Sequence, residues 1–270
     1  MSTEKKSRVR AKKSLGQHFL HDQHTAAKIV NSLQKTPGHT LPLLEIGPGM
    51  GVLTKMLADD DEVALKVIEI DRDSVAYLKE HKVLNADQII EGDFLALDLS
   101  EIFQGHFAII GNFPYNISSQ IFFRVLELRD RVDQVVCMLQ KEVAERIASP
   151  HGSKVYGILS VLLQAYYNIQ LLFKVSPGVF TPPPKVTSAV IRLVRNDKKH
   201  LDCDETLFVT VVKQGFNNRR KTLRNALKNL NLTEAVSSLP VMDKRAEQLS
   251  VDDFIELTRL IGESRAGTPT

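Results

Sequence analysis

The sequence predicts an α/β protein: a doubly wound, mainly parallel sheet with an antiparallel edge, followed by a small all-helical C-terminal domain. Three observations carry this reading. Between residues 41 and 139, short aliphatic runs alternate with helical patterns, the signature of a parallel sheet covered on both faces, as in Rossmann-like folds. Residues 169–175 and 188–194 read as strands separated by a Pro-rich loop with no helix between them, so they pair antiparallel at one edge. From Glu205 onward there is no strand pattern, only helical periodicity.

The elements follow in order. Residues 1–13 form a basic tail, with Lys5, Lys6, Arg8, Arg10, Lys12 and Lys13 against Glu4. Asp22 caps a helix whose Ala26, Ile29, Val30 and Leu33 share a face. Strands are expected at 41–46, 63–70, 88–90, 107–110 and 132–139, and helices at 52–58, 74–80 and 118–128, the last capped by Ser118. A further helix spans about residues 158–167, and the polar stretch at 195–200 is a linker. Leu207, Phe208, Val211 and Val212, then Phe254, Ile255, Leu257 and Leu260, mark apolar helix faces beyond it. The division is therefore a tail at 1–13, a catalytic domain at 14–196 that binds the cofactor, and a helical RNA-binding domain at 197–270.

A chain of 270 residues with 43% hydrophobic content can bury a sizeable core. Its net charge of +3 is too small to indicate a polyanionic partner, so the distribution of charge must do so. The tail is one basic cluster; Arg219, Arg220, Lys221, Arg224 and Lys228 form a second with no acid inside it. Both suit phosphate contacts. Of the two cysteines, Cys137 lies in a strand-like apolar run, which excludes a disulfide framework. No apolar run approaches the roughly 18 residues of a membrane span, and no signal peptide precedes the fold, so a cytoplasmic protein is expected. The histidines are scattered without zinc spacing, and no metal site is expected.

The chemistry-bearing residues fall just after strands. Glu45-Ile46-Gly47-Pro48-Gly49-Met50-Gly51 follows the strand at 41–46, and Gly47 and Gly49 let the backbone approach a ligand. Dinucleotide folds favour G-x-G-x-x-G with pyrophosphate at a helix amino terminus. The G-x-G-x-G spacing here suits a sulfonium nucleoside without phosphate, which points to S-adenosylmethionine. Glu69, 22 residues after Gly47, is placed to accept hydrogen bonds from both ribose hydroxyls. Asp93 is placed either to bind the adenine amino group or to serve a turn.

Asn112-Phe113-Pro114-Tyr115 follows the strand at 107–110. An aromatic amine is a poor nucleophile, because its lone pair is delocalised into the ring. The Asn112 side-chain oxygen and the Pro114 carbonyl can each accept one hydrogen bond from an adenine N6, localising that lone pair as charge develops. Tyr115 offers a face on which an extruded base stacks. No general base is needed, since the methylated N6 cation is acidic and loses its proton readily.

With these residues in view, the chain resembles the ribosomal RNA adenine N6,N6-dimethyltransferase family nearly end to end. The likeness rests on Leu15 to Leu20, Glu45 to Gly51, Asn112 to Asn116, Val179 to Ser188 and Arg219 to Asn225. It implies that S-adenosylmethionine is contacted by His18, Leu20, Gly47, Glu69, Asp93 and Asn112, with Gly49 in the same loop. His18 stands where the family often has Asn. It also implies that Phe180, which without the family reads as a loop aromatic packed in the core, lies against the target base opposite or beside Tyr115. Lys185, Arg219, Arg220, Lys221 and Arg224 are then RNA contacts. The implied activity is dimethylation of N6 on two adjacent adenines in a hairpin loop near the 3′ end of 16S rRNA. The implied partner is the small ribosomal subunit or its precursor, met by a monomer with a role in ribosome biogenesis.

Three rivals remain. An enzyme of the same superfamily that methylates large-subunit RNA and confers antibiotic resistance shares the glycine loop and the tetrad, but Arg219 to Asn225 looks like the small-subunit branch. A non-catalytic RNA-binding assembly factor is opposed by the intact Asn112-to-Tyr115 tetrad and Glu69. A nicotinamide dehydrogenase is opposed by the glycine spacing.

Overall fold

A computed structural model describes residues 9–266. Lys5, Lys6 and Arg8 of the basic tail lie outside the described residues. The chain divides into two compact units, one of Met1–Ala144 with Gln170–Arg195 and the other of Glu145–Ile169 with Asn196–Thr270. Residues 145–169, expected from the sequence in the first domain, thus group with the C-terminal residues.

One sheet of seven strands runs in the order β4 (Ile89–Glu91), β3 (Val63–Glu69), β2 (Leu41–Ile46), β5 (Phe107–Asn112), β6 (Val132–Gln140), β9 (Ser188–Arg195) and β7 (Tyr167–Val175). Neighbours from β4 to β6 are parallel, and β9 lies antiparallel to β6. The central strands are apolar on both faces, as a sheet covered on both sides requires: Leu43, Leu44, Ile109, Ile110 and Val135 to Leu139 are all fully buried. A second sheet of two short strands, β1 (Phe19–Leu20) and β8 (Phe180–Thr181), is not anticipated by the sequence pattern. Strands this short are too brief for a periodic signal.

On one face of the large sheet pack α1 (Gln23–Val30), α2 (Val52–Ala58) and α3 (Arg72–Glu80), through Ile29, Leu53, Leu57, Val75 and Leu78. Each of these side chains contributes roughly 1.5–3 kcal/mol by leaving water; truncating the fully buried Leu57 to Ala would cost about 2–5 kcal/mol. Asp22 caps α1 as expected, accepting from the Thr25 amide at 2.7 Å. The expected Ser118 cap is corrected: α4 (Ser118–Glu127) has Ile117 at its N-cap, with no side-chain cap. Ser118 is already helical, and its hydroxyl donates back to the Tyr115 carbonyl at 3.4 Å. A helix not anticipated from the sequence, α5 (Lys141–Ala148), follows β6 with no intervening turn or capping residue to announce it. The helix α6 ends at Gln164 (Ile158–Gln164), because Tyr167 already begins β7.

The second unit holds α6, α7 (Glu205–Asn217), α8 (Leu223–Ala226), α9 (Glu234–Ser237) and α10 (Val251–Ala266). Asp204 caps α7 by accepting from the Leu207 amide at 2.8 Å. The apolar face of α7, with Phe208, Val211, Val212 and Phe216 buried, meets Phe254 of α10, whose ring lies 5.9 Å from that of Phe216. None of the helices among the described residues is long and apolar enough to cross a membrane.

The topology places the site. From β2 the chain steps outward to β3 and β4, then crosses to β5 on the other side of β2. Strand order therefore reverses between β2 and β5, where Glu45 and Ile110 sit side by side. The crevice beyond such a reversal is where doubly wound sheets bind ligands, and Gly47 and Asn112 stand at its two lips.

Candidate active site

A cavity of about 300 Å³ opens at this reversal and is lined by Gly47, Gly49, Glu69, Ile70, Asp93, Asn112, Pro114 and Tyr115, with Gly16, Gln17 and His18 arriving from the N-terminal segment. Sequence positions as far apart as 18 and 115 are thus brought to one place. At its glycine end the main chain does most of the holding. Gly47 has φ +67° and Gly49 φ +56°, a region unfavourable to residues with a Cβ. A Cβ on Gly49 would come within 2.9 Å of the Phe19 ring, whereas one on Gly47 would meet nothing within 4 Å, so the space beside Gly47 is open to a ligand.

Glu69 is 4% exposed. Its two oxygens accept from the Gly49 amide at 3.0 Å and the Asp71 amide at 2.9 Å, which fixes the carboxylate at the end of β3. Burial raises its pKa above the usual carboxylate range, and those amides counteract it only in part. Asp93 lines the cavity and also closes a turn, its Oδ1 accepting from the Leu95 amide at 2.9 Å. Leu20 does not line this cavity. Its side chain packs in the apolar core and borders a smaller void of about 30 Å³ beside Gly47.

At the other end side chains do the holding. The Asn112 amide nitrogen donates to the His18 carbonyl at 2.8 Å, which leaves the side-chain oxygen free to accept. The Pro114 carbonyl already accepts from the Ile117 amide at 3.2 Å, keeping one lone pair for another donor. The Tyr115 hydroxyl pairs with Ser188 Oγ at 2.5 Å, and its ring stacks on His18 with centroids 5.3 Å apart. Burial raises the Tyr115 pKa, so the phenol stays protonated and is no general base near neutrality.

Phe180 departs from what the family resemblance implies. It is 2% exposed, belongs to the apolar core, and does not line the cavity. Pairing of Leu20 with Phe180 across β1 and β8 holds it there.

The cations also separate. Lys12, read as part of the tail, bridges Asp71 at 2.5 Å and Asp73 at 2.8 Å. Within the second unit, Arg219 pairs with Glu247 at 2.9 Å and Arg224 with Asp243 at 2.7 Å. These acids lie outside the cluster in sequence, which is why the cluster read as unopposed. Arg220 and Lys221, in the turn between α7 and α8, and Lys185, in the Pro-rich loop, are exposed and form no ion pair among the described residues.

Two residues were missed. Glu45, at the end of β2, is 1% exposed, and its Oε2 has no hydrogen-bond partner among the described residues. Burial, reinforced by the nearby Glu69 and only partly offset by Thr54, lifts its pKa to about 8. A charged residue at the end of an otherwise apolar strand was the available signal. Asp71 is also buried; it receives Lys12 and accepts from Gln17 Nε2 at 3.1 Å, joining the N-terminal segment to the turn after β3. It also caps α3, accepting from the Asp73 amide at 3.2 Å and Ser74 Oγ at 3.2 Å, a local signal, whereas Lys12 and Gln17 lie more than fifty positions away and leave none.

Comparison with known proteins gives the family. The family model described as ribosomal RNA adenine dimethylase matches residues 8–263. The ribosomal RNA small subunit methyltransferase A of Cytophaga hutchinsonii is 56% identical, covering 94% of this chain and 98% of that protein. The protein of the same name from Parabacteroides distasonis is 55% identical, covering 93% of each chain. Among solved structures, a dimethyladenosine transferase from Plasmodium falciparum superposes with a TM-score of 0.75 at 23% identity, covering 92% of this chain and 98% of that one, a likeness of fold. The 23S rRNA methyltransferase ErmE gives 0.63 at 26% identity, covering 89% and 99%. On the family match and the extent of these identities, the chain belongs to the ribosomal RNA adenine dimethylase family.

Proposed function

We propose that the enzyme uses S-adenosylmethionine to dimethylate N6 of two adjacent adenines in a hairpin loop near the 3′ end of 16S rRNA, acting as a cytoplasmic monomer on the small ribosomal subunit or its precursor. One observation carries the reading: Asn112, its amide nitrogen held by the His18 carbonyl and its oxygen free, shares a cavity with Gly47 and Glu69 across the strand-order reversal. A methyl acceptor and a nucleoside donor would meet there.

The residues fit the cofactor. Open space beside Gly47 admits it, the Glu69 carboxylate stands at the end of β3 where a ribose would lie, and the unpartnered Glu45 oxygen, which borders the small void beside Gly47 and not the main cavity, would meet its ammonium group from that side. When bound, the cofactor supplies a methyl group made electrophilic by its sulfonium. The Asn112 oxygen and the remaining Pro114 lone pair accept from the adenine amino group, restoring nucleophilic character to N6. Once N6 carries one methyl it has a single hydrogen left to donate, so the second transfer depends more on stacking against Tyr115. Lys185, Arg220 and Lys221 are free to meet phosphate. Arg219 and Arg224, already paired, serve to shape the turn that presents the free cations.

The 51–56% identity to proteins named for the small subunit, against 26% to ErmE, favours the small-subunit substrate. The test is incubation of the purified enzyme with labelled S-adenosylmethionine and, separately, under-methylated small and large subunits, followed by mapping of the labelled base. Label confined to adenine N6 of the small-subunit RNA is expected. Label in the large subunit alone would transfer the assignment to the rival substrate.

A further inference from the structure

We infer that the loop joining α5 to α6, residues 149–157, is a second RNA contact of the helical unit, in which Lys154 meets a phosphate of the same RNA segment as Arg220 and Lys221. The inference rests on the RNA-binding function proposed above and extends it to a stretch of chain that the sequence pattern placed in the catalytic domain.

The loop is lashed to the turn between α7 and α8. The Arg219 guanidinium donates to the Lys154 carbonyl and, at 3.2 Å, to the Tyr156 carbonyl, while its Nε pairs with Glu247 at 2.9 Å. The Gly152 amide in turn donates to the Glu247 carbonyl at 2.7 Å. Beside these bonds the Tyr156 ring, 1% exposed, lies edge-on to Phe216 of α7 with centroids 5.9 Å apart. The loop's two ends are closed by Ser160 Oγ, which accepts from the Gly157 amide at 3.0 Å and donates to the Arg146 carbonyl at 2.5 Å. Lys154 and Arg220 therefore stand on stretches of main chain joined by one arginine side chain.

Charge decides what such a braced surface attracts. Residues 149–157 and 217–222 contain His151, Lys154, Arg219, Arg220 and Lys221 and no acid. Glu247, the acid that reaches this place from elsewhere, is taken up by Arg219, and Asp253 lies near His151. Lys154, Arg220 and Lys221 are left exposed, with no ion pair among the described residues. Unopposed cations on two adjoining segments suit a polyanion. Because the loop is already held, a phosphate bound there orders little more than the lysine side chain itself. The backbone of RNA is the polyanion that the proposed function supplies.

The test uses the full-length enzyme and under-methylated small subunits. Binding of Lys154→Ala, Lys154→Glu and Lys154→Arg is measured over a series of salt concentrations, and protection of the RNA backbone is mapped by hydroxyl-radical cleavage. Lys154→Ala should bind about two- to fivefold more weakly, the range of one exposed ion pair, with a log-log salt slope shallower by about 0.9 for duplex or about 0.7 for a single strand. Lys154→Glu should lose more, and Lys154→Arg should match the native enzyme. Protection lost in Lys154→Ala should border that lost in Arg220→Ala. Lys198→Ala, whose cation in the same unit pairs with Asp252 at 2.8 Å, should leave the slope unchanged, and cofactor affinity should be native throughout. Native binding and slope in both Lys154→Ala and Lys154→Glu would overturn the inference. So would weaker binding at an unaltered slope with RNA protection intact, the outcome of contact with a protein of the subunit. If the native enzyme bound the subunit without salt dependence and protected no RNA, the proposed function itself would fail; a slope flattened by Arg220→Ala but not by Lys154→Ala removes the loop alone. The Lys154 side chain is exposed and the carbonyl that Arg219 grips is main chain, so each substitution leaves the bracing in place.

Discussion

The two ends of the cavity are built by different means. At the glycine end, Glu69 is held by the amides of Gly49 and Asp71, and the Gly47 amide donates to the Ile68 carbonyl at 2.9 Å. All of these partners fall within one stretch of chain, residues 41–71. At the tetrad end, Asn112 is fixed by a carbonyl 94 positions away and Tyr115 by a hydroxyl 73 positions away. The first end is a local backbone motif that any ligand meets ready-made. The second exists only once the N-terminal segment and the Pro-rich loop are both in place. Substitutions at the glycine end should therefore appear as cofactor affinity, and those at the tetrad end as the rate of transfer.

The largest effect is expected at Asn112. Asn112→Ala removes an acceptor that acts as charge develops on N6, so the single-turnover rate should fall by about 10² to 10³. Affinity for the RNA should stay within about twofold, since the hydrogen bond to N6 is worth most in the transition state. Retention of near-native dimethylation would show that stacking alone orients the base. Glu69→Gln comes next, at the other end. It removes the charge that ribose hydroxyls would bond, and cofactor binding measured by calorimetry should weaken by roughly 1.5–3 kcal/mol. A saturated rate as low as that of Asn112→Ala would erase the distinction between the two ends.

The same contrast explains what could be read from the sequence. The parallel strands, their order of alternation with helices and the glycine loop are carried by runs of adjacent residues, such as Leu41 to Gly51, and each was legible. Asp22 and Asp204 cap helices as local spacing allows. What escaped depends on distant partners. The stack of His18 on Tyr115, the anchor from Ser188 and the pairing of Arg219 with Glu247 each join segments whose proximity no local pattern encodes. The helix α5 escaped for another reason, since it begins where a strand ends and nothing in its first residues marks a cap.

Glu45 sharpens the account of the glycine end through pH. Its pKa is raised from an ordinary 4.5 to about 8, chiefly by burial, with Glu69 adding and Thr54 opposing. Between those values the folded chain keeps a proton that the unfolded chain has released. Stability therefore falls as pH rises through this window, by up to about 1.4 kcal/mol per unit, and levels off above it. Urea unfolding at pH 6 and pH 7 should show this slope in the native enzyme and lose it in Glu45→Gln. A bound ammonium favours the ionised carboxylate, so cofactor affinity should rise over the same interval, by up to about tenfold per unit, and be flat in the Gln variant. Identical pH dependence in both proteins would remove Glu45 from the cofactor site.

The smallest effect is expected where the tetrad end is held by a single hydroxyl. Tyr115→Phe keeps the ring and its stack on His18 but strips the partner from Ser188, which is fully buried and would be left with an unsatisfied hydroxyl. The cost in stability should be about 1–3 kcal/mol, the desolvation penalty of a buried hydroxyl left unpaired, read as a shift in the urea midpoint. Ser188→Ala should cost about the same. The double variant should cost less than the two together, because replacing both partners leaves no orphaned group. Since the raised pKa keeps the phenol protonated, its oxygen takes no proton in the reaction, and the transfer rate of Tyr115→Phe should stay within about threefold of native, a loss below the roughly 1 to 3 kcal/mol of a stacked base. A fall as deep as that of Asn112→Ala would mean that the hydroxyl takes part in the chemistry, and the tetrad end would then act through a third polar group beside the Asn112 oxygen and the Pro114 carbonyl, where the geometry gives Tyr115 the part of a platform.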